Sequence, residues 1–220
     1  MFYLIEKLNL QVATAKNLDR FIEIESSQIL SVYEQCEAKL MASWICSAET
    51  LMQITNVFEL KALEATSKIY NALNDDSSFQ DIVQLSNSLI SETNWQLYRS
   101  CGQKFSKAFH QAVQASQSAP LKSYTVATLN MSRNKMPLFL PKQETAIDIG
   151  VPLIAFMKSV TGRHDQIVDI WKGDIQETGY QTQDYYESIG MTEEWWNWIR
   201  DIAPKEKMVK VSMLPYSPLQ

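Results

Sequence analysis

The 220-residue chain sets 20 lysines and arginines against 25 aspartates and glutamates, for a net charge of −5 and a pI near 5.1. An acidic chain with no local cluster of Lys and Arg repels a phosphate backbone, so nucleic acid is excluded as an expected partner. With 45% hydrophobic and 20% charged residues the composition excludes a disordered or collagen-like chain, and no run approaches the ~18 apolar residues of a membrane helix.

In chain order, 1–11 alternates and is rich in aromatic and branched residues, which predicts a strand. Glu6 and Lys7 interrupt what would have to be the apolar core of a signal peptide, and Cys36, Cys46 and Cys101 have no CxxC spacing. Both features fit a cytoplasmic protein with reduced thiols. From about 15 to 36 a helix is expected, with Leu18, Phe21, Ile22, Ile29, Val32, Tyr33 and Cys36 on one stripe. Two strands follow at 39–47 and 52–60, then a helical region ending in 78–90 with Ser77 or Ser78 as N-cap, and a strand at 95–101.

The order then repeats. Gln53-Ile54 matches Gln166-Ile167 at an offset of 113, and Tyr3 with Leu8-Asn9-Leu10 matches Tyr124 with Leu129-Asn130-Met131 at an offset of 121. The first helix of the second half is therefore shorter, and Pro137 and Pro141 predict a short helix with an irregular approach. Strands at 153–160 and 166–171 form a hairpin through Thr161-Gly162-Arg163-His164-Asp165, followed by a helix at 192–202 and a strand at 207–214. Thr192 is its expected N-cap, and Trp195, Trp198 and Ile199 correspond to Phe79, Ile82 and Val83.

Each half reads β-α-β-β-α-β, the ferredoxin-like order. The expected fold is α+β: two such domains in tandem, 1–106 and 122–220, joined by an Ala-, Gln- and Ser-rich linker at 107–121. One face of each sheet needs cover, and two sheets in one chain can cover each other as an intramolecular α/β barrel. A monomer would then satisfy the contact.

The tandem order resembles the dimeric α/β barrel superfamily. The C-terminal half is similar to NIPSNAP proteins through Ile170-Trp171, Trp195 and the closing run Ser212-Met213-Leu214-Pro215-Tyr216-Ser217-Pro218-Leu219. Asp169 stands where that family's strand carries a histidine, and the first half has Phe58 in place of Trp171 and lacks the closing run. The resemblance implies relatives that include heme-degrading and quinone-forming monooxygenases, heme peroxidases, isomerases and proteins of no known reaction. NIPSNAP proteins themselves are mostly regarded as interaction or trafficking proteins.

Heme-degrading relatives ligate iron through a histidine on the second helix of the domain; here 77–92 and 192–202 contain none. The two histidines are His110, in the expected linker, and His164, in the hairpin turn, the better ligand candidate of the two. No Cys/His cluster, HExxH, GxSxG or phosphate-binding glycine motif occurs, so neither cofactor nor metal is expected. Glu25 breaks a local rule: it lies on the apolar stripe, four after Phe21 and four before Ile29, where a carboxylate is desolvated. It either serves as acid or base in a pocket between helix and sheet, pairs with a cation, or reaches solvent at an edge. Asn9 and Asn130 occupy matched strand positions, as a catalytic asparagine does in heme-degrading relatives or as strand-end hydrogen-bonding residues. Trp195 and Trp198 pack, whereas Trp196 could mark an interface.

The missing cofactor ligands lead the sequence reading to a non-catalytic protein that binds a small aromatic ligand or a protein partner. The alternative is a cofactor-independent monooxygenase or isomerase acting on an aromatic or polyketide-like molecule, with Glu25, Asn9 and His164 as pocket residues.

Overall fold

A computed structural model describes residues 1–11, 14–46, 52–121, 123–132, 134–148, 150–173, 187, 192–203 and 205–220, apart from the side chains at 195 and 196. The expectations for Trp195 and Trp196 therefore lie outside the described residues.

The first half comprises β1 (Phe2–Leu10), α1 (Ala15–Ile24), a π-helical turn (Glu25–Ile29), α2 (Leu30–Gln35), β2 (Ala38–Cys46), β3 (Gln53–Leu60), α3 (Ala65–Asn74), α4 (Gln80–Asn87) and β4 (Ile90–Ser100). After α5 (Gln103–Ser116) come β5 (Tyr124–Asn130), α6 (Met136–Asp148), β6 (Leu153–Ser159), β7 (Gln166–Lys172), α7 (Glu193–Ile202) and β8 (Lys205–Met213). All described strand pairings are antiparallel, and the strands close into a barrel in the order β1-β3-β2-β8-β5-β7-β6-β4. The protein is thus a mixed α+β fold built on a closed eight-stranded barrel.

The two seams of the barrel are short. Strands β2 and β8 pair only through Trp44 with Met213 and Ile45 with Ser212, and β4 and β6 only from Tyr98–Ser159 to Ser100–Met157. Side chains alternate across each strand. Tyr3 and Ile5 of β1 thereby join Val57, Tyr98, Val126 and Ile170 inside the barrel, while Leu4, Leu8 and Leu10 face outward under α1, α2 and α4 with Phe21, Val32 and Phe58. A third cluster, around Phe139, Phe156 and Ile167, packs outside the other half.

Two elements differ in extent from the expectation. Residues 107–116, within the expected linker that allows one helical turn or more, belong to the 14-residue helix α5. Its Phe105, Phe109 and Ala112 recur at helical spacing and are buried, Phe109 packing on Tyr3 at 5.9 Å between ring centroids, so burial overrides the linker-like composition. Helix α6 is likewise not short: it continues through Pro141 for 13 residues, held by buried Phe139, Gln143 and Ala146 on its sheet-facing side. A smaller difference concerns α4, where Phe79 is the N-cap residue and Ser78 instead donates its amide to Asp76 Oδ1 at 2.9 Å.

The long first helix is loosened at its centre. Ser27 Oγ donates to the Glu23 carbonyl at 2.6 Å and Ser26 Oγ approaches it at 3.3 Å, competing with the backbone ladder where the chain widens into the π turn. Glu25 opens that turn and is buried facing the sheet.

Candidate functional site

Cross-strand register builds the site. Glu6 on β1 lies opposite Asn56 on β3 and Trp95 on β4, and Asn56 lies opposite Ser43 on β2. The four residues form one lateral row, Ser43, Asn56, Glu6, Trp95, and Tyr33 of α2 and Glu25 of the π turn reach it from the helical layer.

Glu6 is 4% exposed and surrounded by donors. Its Oε1 accepts from Tyr33 Oη at 2.6 Å and Trp95 Nε1 at 2.8 Å, and its Oε2 accepts from Asn56 Nδ2 at 2.9 Å. Glu25 is 1% exposed, and its Oε1 accepts from the same Asn56 Nδ2 at 3.1 Å.

This asymmetry decides where a proton sits. Burial raises the pKa of Glu6, but three donors oppose the shift by stabilising its ionised form. Burial also lifts Glu25, the neighbouring Glu6 charge lifts it further, and Asn56 alone opposes, so Glu25 ends well above the ordinary carboxylate range. Two interacting carboxyl groups titrate as a pair, and the better-solvated member ionises first. Both carboxyl groups are pushed up by burial, and Glu25, with one opposing donor against three, is pushed further toward the protonated form.

Glu6 and Glu25 line a cavity of about 390 Å³ between the sheet and the helices. Leu8, Ile29, Leu73, Val83 and Ile90 supply apolar wall, Tyr33, Tyr70 and Trp95 supply aromatic surface, and Asn74, Ser86, Asn87 and Thr93 add neutral polar groups. Among the described residues no Lys, Arg, His, Cys or Met lines the cavity, so it offers no histidine, cysteine or methionine ligand to a heme iron, and no group of three His, Cys, Asp or Glu could hold a metal ion.

Of the sequence-predicted site residues, only Glu25 is in the cavity wall. Asn9 is three residues from Glu6 on the same strand and therefore on the opposite sheet face. There it donates to Glu92 Oε2 at 2.8 Å and accepts from Gln53 Nε2 at 3.0 Å. Asn130 accepts from Gln166 at 3.3 Å in the matching position, so the paired asparagines make matching strand-end contacts. His164 is exposed in the β6–β7 turn of the other half, and His110, on α5, lies 2.6 Å from Glu59 Oε2. Neither joins Glu25.

Glu6, Asn56, Tyr33 and Trp95 were not singled out by the sequence. One signal was available: Glu6 occupies the buried parity of Leu4, Leu8 and Leu10, as anomalous in a strand as Glu25 is in its helix.

The corresponding row of the second half is Phe156, Asp169, Ala127, Met208. Ala127 stands where Glu6 does and Met208 where Trp95 does, which leaves one carboxyl group. Asp169 is 3% exposed with Oδ1 unpartnered, and burial followed by the charge of Glu206 raises its pKa well above the usual value. The neighbouring Trp171 side chain partly opposes that rise, and Gln143 Oε1 is also buried without a hydrogen-bond partner.

No protein-family model matches the chain, and no curated protein matches it. Solved structures do. One is a protein assigned provisionally as a monooxygenase from Fusobacterium nucleatum subsp. nucleatum, with a TM-score of 0.60 and 9% identity, covering 97% of this chain and 92% of that one. A second, from Lactobacillus acidophilus NCFM and with the same provisional assignment, gives a TM-score of 0.53 and 10% identity over 96% and 93% of the two chains. A chlorite dismutase mutant from Candidatus Nitrospira defluvii gives 0.56 and 10% over 98% and 91%. At such identities the likeness is one of fold alone, that of a mixed α+β chain closed into an eight-stranded antiparallel barrel.

Proposed function

We propose that the cavity beside Glu25 binds a small, neutral, flat organic molecule and transfers a proton on it, as a cofactor-independent isomerase or monooxygenase does. The carrying observation is the buried Glu25 carboxyl in the cavity wall, with Oε1 bonded to Asn56, beside the triply hydrogen-bonded Glu6. A raised pKa makes Glu25 a stronger base once ionised and an effective acid while protonated. The charge of Glu6 and the lack of a cationic lining residue disfavour an anionic ligand, and the aromatic walls suit a flat one. Removal of a proton from a C–H or O–H acid yields an enolate or phenolate. Its return at another carbon completes an isomerisation; reaction of that anion with dioxygen is the oxygenase outcome.

This reading prefers the enzymatic alternative to the binding protein that the missing cofactor ligands alone suggest. Neighbours assigned provisionally as monooxygenases are compatible with it, although fold does not carry function. The chain is further read as two ferredoxin-like halves, a reading supported by the recurrence of the order β4-β1-β3-β2 as β8-β5-β7-β6. The NIPSNAP-like assignment of the second half and a cytoplasmic location are parts of the same proposal.

The test is deuterium incorporation. A panel of enolisable aromatic ketones and phenols is incubated with the protein in D2O and followed by proton NMR. Wild type is expected to accelerate exchange at one acidic position of at least one compound, and Glu25→Gln to abolish it. Exchange that persists in Glu25→Gln, or no acceleration with any compound that binds, contradicts the proposal.

A further inference from the structure

The segment after β8 crosses from the second half onto the first and reaches the back of the carboxyl pair. Leu214 N–H donates to the Ser43 carbonyl at 3.0 Å, and Ser43 N–H donates to Ser217 Oγ at 2.9 Å. Both backbone polar groups of Ser43 are therefore held by this strap. Its Tyr216 packs against the first-half core, with Oη 3.1 Å from Ser43 Oγ and 3.4 Å from Asn56 Oδ1.

Asn56 is the hub between strap and site. Its two amide hydrogens are committed to Glu6 Oε2 and Glu25 Oε1, and its Oδ1 accepts from Ser43 Oγ at 2.6 Å. An amide rotated by half a turn would aim its oxygen at two carboxyl oxygens and its hydrogens at hydroxyl groups. The carboxyl oxygens thus select the orientation, and the hydroxyl donors on the Oδ1 side hold the amide in it. Ser43 Oγ donates to Asn56 Oδ1 at 2.6 Å and lies within donating reach of Tyr216 Oη, and Tyr216 Oη supplies the second donor to Asn56 Oδ1 at 3.4 Å.

We propose that Tyr216 is a positioning residue for the Glu6–Glu25 site, acting through Ser43 and Asn56 to fix the amide that the two carboxyl groups share. The strap thereby couples the closing run of one half to proton placement in the other. The second half has no counterpart to the device, because Phe156 stands where Ser43 does and cannot donate. The site is thus complete only when the strap is docked. Glu25 depends on it most, since Asn56 is its single donor among the described residues, whereas Glu6 keeps Tyr33 and Trp95.

The inference rests on reading Glu25 as the proton-holding group, but its test needs no substrate. In the full chain labelled with ¹³C at glutamate side-chain carboxyls, the Glu25 resonance is assigned with Glu25→Gln and titrated. Tyr216→Phe, which keeps the ring, is expected to move the Glu25 midpoint upward by about half a pH unit or more, because a loosened Asn56 donates less to the ionised form. Ser43→Ala is expected to shift it the same way, and the two shifts to combine non-additively in the double variant. A purely structural Tyr216 would lower thermal stability and leave the midpoint in place; that result, or additive shifts, overturns the inference. Should Tyr216→Phe not fold, Ser43→Ala alone decides on the same criterion. A failure of every deuterium-exchange assay would count against the proposed reaction without touching this outcome.

Discussion

Glu6 and Glu25 meet across a single amide: Asn56 Nδ2 donates to Glu6 at 2.9 Å and to Glu25 at 3.1 Å. One donor group thus serves two buried carboxyls, and the remaining contacts divide unequally, with Tyr33 and Trp95 both on Glu6. That inequality separates the pair into an anchored anion and a proton carrier.

The first prediction concerns stability and pH. In the unfolded chain Glu25 ionises near the ordinary value of 4.5, whereas in the fold burial and Glu6 hold it protonated to higher pH. The folded state thus binds more protons, and the contribution of Glu25 to stability is fully present below the unfolded pKa and lost as pH rises through the folded one. Glu25→Gln, neutral throughout, should flatten that decline and unfold in urea with about 1–2 kcal/mol more stability than wild type near pH 8. Parallel pH profiles for the two proteins would contradict the assignment.

The second isolates one hydroxyl. Tyr33 stacks on Phe58 with ring centroids 4.2 Å apart and planes within 4°, so Tyr33→Phe keeps the packing and deletes the donor to Glu6. A hydrogen bond to a charged group contributes about 1.5–3 kcal/mol. The loss should be larger near pH 8 than near pH 5, since the donor favours the ionised carboxylate. Urea titration of both proteins at the two pH values measures the difference.

The third concerns the corresponding row of the other half. Asp169 is buried with one unpartnered oxygen and a pKa raised by burial and then by Glu206. By the same sign argument it costs stability increasingly as pH rises above its unfolded value. Asp169→Asn should raise the melting temperature near pH 8 and change it little near pH 4. Because Asp169 and Glu25 occupy separate helix-covered faces of the barrel, Asp169→Asn and Glu25→Gln should add.

Most strands and the first helix were legible because buried faces impose periods of two and 3.6 on the chain. Glu25 was legible because a carboxylate interrupts seven residues of an apolar stripe. Its partners were not. Asn9 shares β1 with Glu6, but an odd spacing of three turns it to the other face, and only the register that sets Glu6 opposite Asn56 and Trp95 identifies the row. Helix α5 was hidden by Ala, Gln and Ser, although Phe105, Phe109 and Ala112 carried its period. Tyr216 sat in a run noted only as a family-like ending; no local pattern shows that the segment crosses to Ser43, 173 residues away.

The central claim is that Glu25 carries the proton of the pair, and infrared difference spectroscopy reads it directly. At about pH 6, where an ordinary glutamate is ionised, wild type should show protonated carboxyl stretches. One of them should vanish in Glu25→Gln and persist in Asp169→Asn. A spectrum in which Glu25→Gln removes a carboxylate band and leaves the protonated bands unchanged would place the charge on Glu25 and contradict the account.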